Sequence, residues 1–263
     1  MIDIHSHILP GVDDGVENLK ESLAIAEMAV ADGLKGIVAT PHFMEEGYRM
    51  SVQEITERVA ELQRELDKQG IILRIYPGAE VFIYPGLSRD LEQGLVPTIN
   101  GGRYILLELP MREFPTYTED TLYDLKVMGY RPVICHPERY QQVVEDPNIL
   151  HTWLKEGIYA QVNASSLIGI FGEKVQKTAE LLVRHNLVQL IGSDLHSLDR
   201  RSECLVEGLA RIRQLAGDNV DLIMDNNQRL VDNQDLEIIQ PGFYQEKKGL
   251  INKFKKFFLS QTN

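Results

Sequence analysis

At 263 residues, with 43% apolar and 25% charged side chains, the chain suits one barrel-sized domain or two small ones and is too apolar for a disordered protein. Its net charge of −12 disfavours a protein that tracks nucleic-acid phosphates by bulk electrostatics. Two cysteines, Cys135 and Cys204, are too few for a disulfide framework, and no run approaches the roughly 20 apolar residues of a membrane span.

The chain opens directly into a strand over 2–7 with no charged and apolar leader, which with the cysteine usage predicts a cytoplasmic protein. That strand carries Asp3-Ile4-His5-Ser6-His7, and because alternate side chains share one face of a strand, His5 and His7 can grip one ion. A helix near 18–32, stopped by Gly33, leads to a strand over 36–42 closing on Thr40-Pro41-His42. The helix over 51–70 has the clearest signals: Ser51 and Glu54 form a capping box, Val52, Ile55, Val59, Leu62 and Leu66 recur at steps of three and four, and Gly70 ends it.

Strands over 73–80 and 103–109 end on Glu80 and Glu108; a helix over 118–128 and a strand over 131–136 then deliver His136. Helices over 146–156, 173–186 and 203–216 flank strands over 158–163 and 188–194, the last ending in Ser193-Asp194-Leu195-His196. Apolar run, then His, Glu or Asp, then helix is the pattern of an α/β barrel of parallel strands, whose site lies at the strands' carboxyl ends. Ligands from the first strand through the last predict one closed or nearly closed barrel over 1–245. Residues 246–263 differ: Glu246 to Leu259 carries five lysines among Leu250, Ile251, Phe254, Phe257 and Phe258. It reads as a basic amphipathic tail that packs on the barrel or frays, or else meets an anionic membrane surface or acidic partner.

Taken together, His5-Ser6-His7, Asp13-Asp14-Gly15, Pro41-His42, Gly78-Ala79-Glu80, Glu108, His136-Pro137-Glu138-Arg139-Tyr140 and Ser193-Asp194-Leu195-His196 resemble the polymerase and histidinol phosphatase (PHP) superfamily almost end to end. Within it, Asp3 to Gly15 combined with His-Pro-Glu-Arg-Tyr is similar to the bacterial manganese-dependent protein-tyrosine phosphatases of capsule and exopolysaccharide operons. The resemblance implies a distorted TIM-like (β/α)7 barrel of the PHP fold, a single domain holding three divalent metal ions. His5, His7, Glu80 and Asp194 would hold one ion. Glu80 would bridge to a second, completed by Glu108 and His136, with Asp14, His42 and His196 on a third. Asp13 competes with Asp14 for its role.

Arg139 and Arg201 match the family's phosphate-binding arginines, with Arg200 an adjacent competitor for the second. The partner implied is a phosphotyrosine protein, the tail of a bacterial tyrosine kinase controlling polysaccharide export. Mixed imidazole and carboxylate donors suit manganese, iron, cobalt or zinc rather than calcium. Such metals can lower a bridging water's pKa and supply hydroxide for in-line attack without a protein nucleophile.

The thiol route to tyrosine dephosphorylation needs an arginine six positions after its cysteine, where Cys135 has Gln141 and Cys204 has Ala210. Both cysteines therefore read as buried small hydrophobes, and His151 and His185 as structural. Tyr48, Phe114 and Tyr117 stand in segments that follow ligand-bearing strands and are candidate pocket walls. Alternatives are a small-molecule phosphomonoesterase such as a histidinol-phosphate phosphatase, and a non-catalytic phosphotyrosine-binding or assembly factor.

Overall fold

Nine parallel strands and ten α-helices make up the described part, residues 1–198 and 204–245, of a computed structural model. Strands β1 (Ile2–Ser6), β2 (Gly36–Ala39) and β4 (Arg74–Pro77) pair in the order β1-β2-β4. The remaining strands, β3 (His42–Phe43), β5 (Glu80–Phe82), β6 (Tyr104–Glu108), β7 (Arg131–Cys135), β8 (Tyr159–Asn163) and β9 (Leu190–Gly192), pair in that order in a second sheet. The strands expected over 36–42 and 73–80 are thus each broken in two, and each crosses from one sheet to the other just before its ligand-type residue.

The helices are α1 (Leu19–Ala31), α2 (Val52–Gln69), α3 (Leu87–Glu92), α4 (Thr118–Val127), α5 (Gln141–Glu145), α6 (Asn148–Lys155), α7 (Ala164–Leu167), α8 (Glu173–Arg184), α9 (Cys204–Ala216) and α10 (Asn219–Val231). In α2 the capping box forms as the sequence requires: Glu54 N–H donates to Ser51 Oγ at 3.2 Å and Ser51 N–H to Glu54 Oε2 at 2.8 Å. Ile55, Val59, Leu62 and Leu66 are buried on one face, while Val52, expected among them, is exposed. Gly70 terminates the helix at φ +71°.

Two apolar regions result. Leu106, Val133, Cys135 and Leu190 of the strands pack with Ile2, Ile4, Tyr104 and Leu230 in the smaller one, whereas alternate residues such as Leu107, Ile134 and Ile191 face the larger core shared with the helices. No continuous ladder joins β1 to β9, so the ring is a distorted barrel. One bridge, Ser6 to Leu195, spans the upper part of that seam. Below it, Asn227 of α10 donates from Nδ2 to Ile2 O (2.9 Å) and Ile191 O (2.7 Å) and accepts from Ile191 N (3.2 Å). The basic tail over 246–263 lies outside the described residues.

Candidate metal centre

The nine side chains expected to meet do meet, at the carboxyl ends of the strands, and eight groups including Arg139 line a cavity of about 400 Å³. A register shift between Asp3 and Ser6 in β1 interrupts regular alternation beside His5 and His7. His136 and Asp194 stand just past their strands at φ +35° and +54°, a left-handed conformation that ordinary residues seldom adopt without constraint. Close packing is also required of two glycines: a Cβ on Gly15 would lie 2.4 Å from His7 Cβ, and one on Gly192 2.6 Å from His5 Cβ.

Glu80 is at the centre. Its Oε2 lies 3.3 Å from both His5 Nε2 and His7 Nε2 and 3.2 Å from His42 Nδ1, and its Oε1 lies 2.9 Å from His136 Nε2. Asp194 Oδ1 is 3.5 Å from His5 Nε2 and 3.7 Å from His7 Nε2. Glu108 reaches His136 Nε2 and His42 Nδ1 at 3.9 Å each. Nearer the mouth, Asp14 Oδ1 stands 3.3 Å from His42 Nε2 and 3.6 Å from His196 Nε2. Four overlapping groups of ligand-type atoms follow, one of them His5, His7, Glu80 and Asp194, another His7, Asp14, His42 and His196.

The imidazoles are oriented from behind. His5 Nδ1 meets Gln161 Oε1 at 2.9 Å, and His7 Nδ1 meets Asp13 Oδ2 at 2.7 Å; donation from Nδ1 leaves each Nε2 lone pair facing the cluster. His196 Nδ1 likewise meets Asp194 O at 3.0 Å. Asp13 thus stands behind His7, and Asp14 presents its carboxylate to the cluster. Gln161 Nε2 continues to Asn163 Oδ1, and Asn163 Nδ2 donates to Asp194 Oδ2 at 2.7 Å. Asp3 is buried beneath, accepting from Ser193 Oγ and from the backbone N–H groups of Ser193 and His5.

Protonation fits a cation site. Burial opposes charge on His5, but Glu80 and Asp194 outweigh it and push its pKa up to about 9. Burial likewise opposes ionisation of Glu80, and the surrounding imidazoles overcome it, holding the carboxyl well below its ordinary range. Glu108, partly buried and beside the Glu80 carboxylate, is raised to about 8. Among the described residues His5 Nε2, His7 Nε2 and His42 Nδ1 are buried without a hydrogen bond although turned towards carboxylates, positions where a divalent cation would be ligated.

Arg139, in a short 3-10 turn after β7, places Nη1 3.2 Å from Asp194 Oδ2 and its guanidinium 4.6 Å from the Phe171 ring. Arg201 and its competitor Arg200 lie outside the described residues. Tyr48, exposed, stacks on His42 at 6.0 Å. Phe114 instead packs against Tyr140 and Trp153, and Tyr117 turns its hydroxyl to Ile83 O, so these two serve the core more than a pocket wall. His151 and His185 make edge contacts with Phe243 and Tyr244, away from the cluster. Gln161 and Asn163 have no role in the sequence-based expectations, although alternating polar residues inside the apolar run of β8 are a visible signal, and Asp3 figures there only as part of the first motif. Cys135 is buried as expected, but its sulfur adjoins Glu80 and His136.

A parallel α/β barrel presenting clustered imidazoles, carboxylates and an arginine at its strand ends defines a metal-dependent hydrolase of the PHP type. The chain belongs to the CpsB/CapC family, described as capsular polysaccharide synthesis, whose profile matches residues 1–232. It is 35% identical over 231 residues to the tyrosine-protein phosphatase YwqE of Bacillus subtilis, covering 88% of this chain and 91% of that protein. Identity to the tyrosine-protein phosphatase CpsB of Streptococcus agalactiae is 30% over 241 residues, covering 86% and 99%. A solved structure from work on YwqE of Bacillus subtilis and CpsB of Streptococcus pneumoniae, described there as unique metal-dependent tyrosine phosphatases, superposes with a TM-score of 0.90. Identity is 34%, over 94% of this chain and all of the other. Histidinol phosphate phosphatase of Lactococcus lactis shares the fold alone, with a TM-score of 0.55 at 14% identity over 82% and 93% of the two chains. No described helix is long and apolar enough to cross a membrane.

Proposed function

We propose that this chain is a metal-dependent protein-tyrosine phosphatase whose substrate is a phosphotyrosine protein, the tyrosine-rich tail of a bacterial kinase in capsule or exopolysaccharide synthesis. The observation that carries this reading is the convergence of His5, His7, Asp14, His42, Glu80, Glu108, His136, Asp194 and His196 with Arg139 around one open cavity. These nine residues are its proposed ligands for three divalent ions, with manganese the first choice and iron, cobalt or zinc able to use the same donors. Bound there, such ions would acidify a water and neutralise phosphoryl charge.

The residues of the chain do the remaining work. Arg139, held by Asp194 and Phe171, offers guanidinium N–H groups to non-bridging phosphoryl oxygens, where charge redistributes as the ester bond breaks. Arg201 is proposed for the same role. A phenolate leaving group, with a parent pKa of about 10, asks less of a general acid than a serine alkoxide. The compartment proposed is the cytoplasm, with the barrel over 1–245 as the catalytic domain and the basic tail over 246–263 as an accessory segment.

The test is phosphate release from a phosphotyrosine peptide by chelator-stripped protein reconstituted with manganese, beside a His136→Ala variant. Metal-dependent release that the variant lacks is expected. No release with manganese, iron, cobalt or zinc, from protein shown to bind metal, overturns the assignment. Turnover of histidinol phosphate in its place would move the protein to the small-molecule phosphomonoesterases, and binding of phosphotyrosine peptide without turnover to the non-catalytic factors.

A further inference from the structure

Cys135 is the last residue of β7 and points, like Val133, into the smaller apolar region with Leu106 and Leu190. An ordinary strand would send the next side chain to the opposite face. The φ of +35° at His136 turns the chain instead, and both side chains converge on Glu80. Cys135 Sγ lies 3.1 Å from Glu80 Oε1 and 3.3 Å from His136 Nε2, and those two atoms are 2.9 Å apart. All three residues are buried.

The other face of the same carboxylate is different. Glu80 Oε2 is approached by His5 Nε2 and His7 Nε2, both buried and without a hydrogen bond, which marks Glu80 as built around cations. One oxygen of Glu80 therefore faces imidazole nitrogens, and the other faces a nitrogen and a sulfur. Zinc binds thiolate at about 2.3 Å and imidazole at about 2.0–2.1 Å, and a triangle with the three measured edges leaves an ion above it within such reach of every corner. Soft thiolates favour zinc and its heavier congeners, whereas manganese favours oxygen and nitrogen.

We propose that Glu80, Cys135 and His136 form a thiolate-containing position for a soft divalent cation, zinc or cadmium, that sets which metals the centre retains. Occupancy forms a metal–sulfur bond in place of the S–H bond, and the thiol proton leaves to solvent with no change of oxidation state. The inference rests on the metal-centre reading above. Its consequence is selectivity: Cys135 holds a soft ion more tightly than manganese, which would use Glu80, Glu108 and His136 without the thiolate.

The test is cadmium titration of the chelator-treated full chain, followed by the ultraviolet thiolate-to-cadmium charge-transfer band, for wild type, Cys135→Ser, Cys135→Ala and Cys204→Ser. The band is expected in wild type and Cys204→Ser and absent from both Cys135 variants, whose cadmium-to-manganese affinity ratio falls at least about tenfold. Cadmium bound by elemental analysis with no band in wild type, or a band that survives in Cys135→Ser, overturns the proposal. Because wild type alone gives the decisive spectrum, misfolding of a variant does not shield it. A band from protein that releases no phosphate with manganese would uphold this position while defeating the phosphatase reading, and turnover without a band would do the reverse.

Discussion

Asp13→Asn separates the residue that orients a ligand from the one that presents it. Three N–H donors converge on the two Asp13 oxygens: His7 Nδ1 at 2.7 Å and His42 N at 3.0 Å on Oδ2, and Gly15 N at 3.0 Å on Oδ1. An amide of the same shape has one oxygen, and its NH2 must confront at least one of those donors. The substitution removes a charge-assisted bond of about 1.5–3 kcal/mol and leaves a donor unpaired in a poorly hydrated place. Urea unfolding of the metal-free protein should register a loss of about 2–4 kcal/mol.

The same change frees the His7 ring to rotate or change tautomer and should weaken manganese binding about 10–100-fold, or about 1.4–2.8 kcal/mol. Asp14→Asn behaves oppositely. Its side chain is 55% exposed and, among the described residues, pairs only with His42 and His196, so metal-free stability should stay within about 0.5 kcal/mol while metal content falls. Calorimetric metal titration beside urea denaturation reads both effects. Wild-type metal affinity and stability in Asp13→Asn, or a larger stability loss in Asp14→Asn, would refute the division of labour between the two.

Cation binding should release protons near pH 7. His5 holds its proton to about pH 9 and Glu108 to about pH 8 in the metal-free protein, and both must leave before metal enters. The His5 contribution to metal-free stability is full below its unfolded pKa of about 6.5 and lost as pH rises through 9, so metal affinity should climb over that window. Identical binding heats in buffers of different ionisation enthalpy would contradict this. Arg139→Ala and Arg201→Ala should each lower kcat/KM on phosphotyrosine peptide about 10²–10³-fold with Tm unchanged, as steady-state kinetics will show. Tyr140→Phe strips the buried Leu109 N–H of its acceptor at 3.0 Å and should cost about 1–3 kcal/mol in urea. Asn227→Leu orphans Ile2 O and both backbone groups of Ile191 and should cost about 3 kcal/mol or more in the same assay.

Much of this site was legible because metal chemistry restricts residue type and parallel strands restrict place. His42, Glu80, Glu108 and His136 each close an apolar run, and such endings gather wherever parallel strands form a ring. What the pattern could not carry was local geometry. The breaks that divide 36–42 and 73–80 between two sheets, the register shift in β1 and the left-handed turns at His136 and Asp194 arise from tertiary closure rather than from propensity. Asp13 and Asp14 look alike in sequence and differ only in which atoms they face. Cys135 looked like a hydrophobe because position in an apolar run says nothing about the backbone turn that follows it. Helix α10 escaped notice because its asparagines, poor helix formers, are spent on backbone groups of β1, β9 and Gln189 just before β9.

That use of Asn227 sets a timetable for the molecule. Strand β1, which carries His5 and leads into His7, is among the first parts of the chain to be synthesised, yet its lower edge is joined to β9 by a side chain 225 residues from Ile2. Contacts so distant in sequence are slow to form and close only after intervening loop entropy has been overcome. During synthesis the earliest histidines must wait, uncommitted, until α10 has emerged. Metal capture should therefore come at the end of folding, as a reward for a completed ring rather than a nucleus for it.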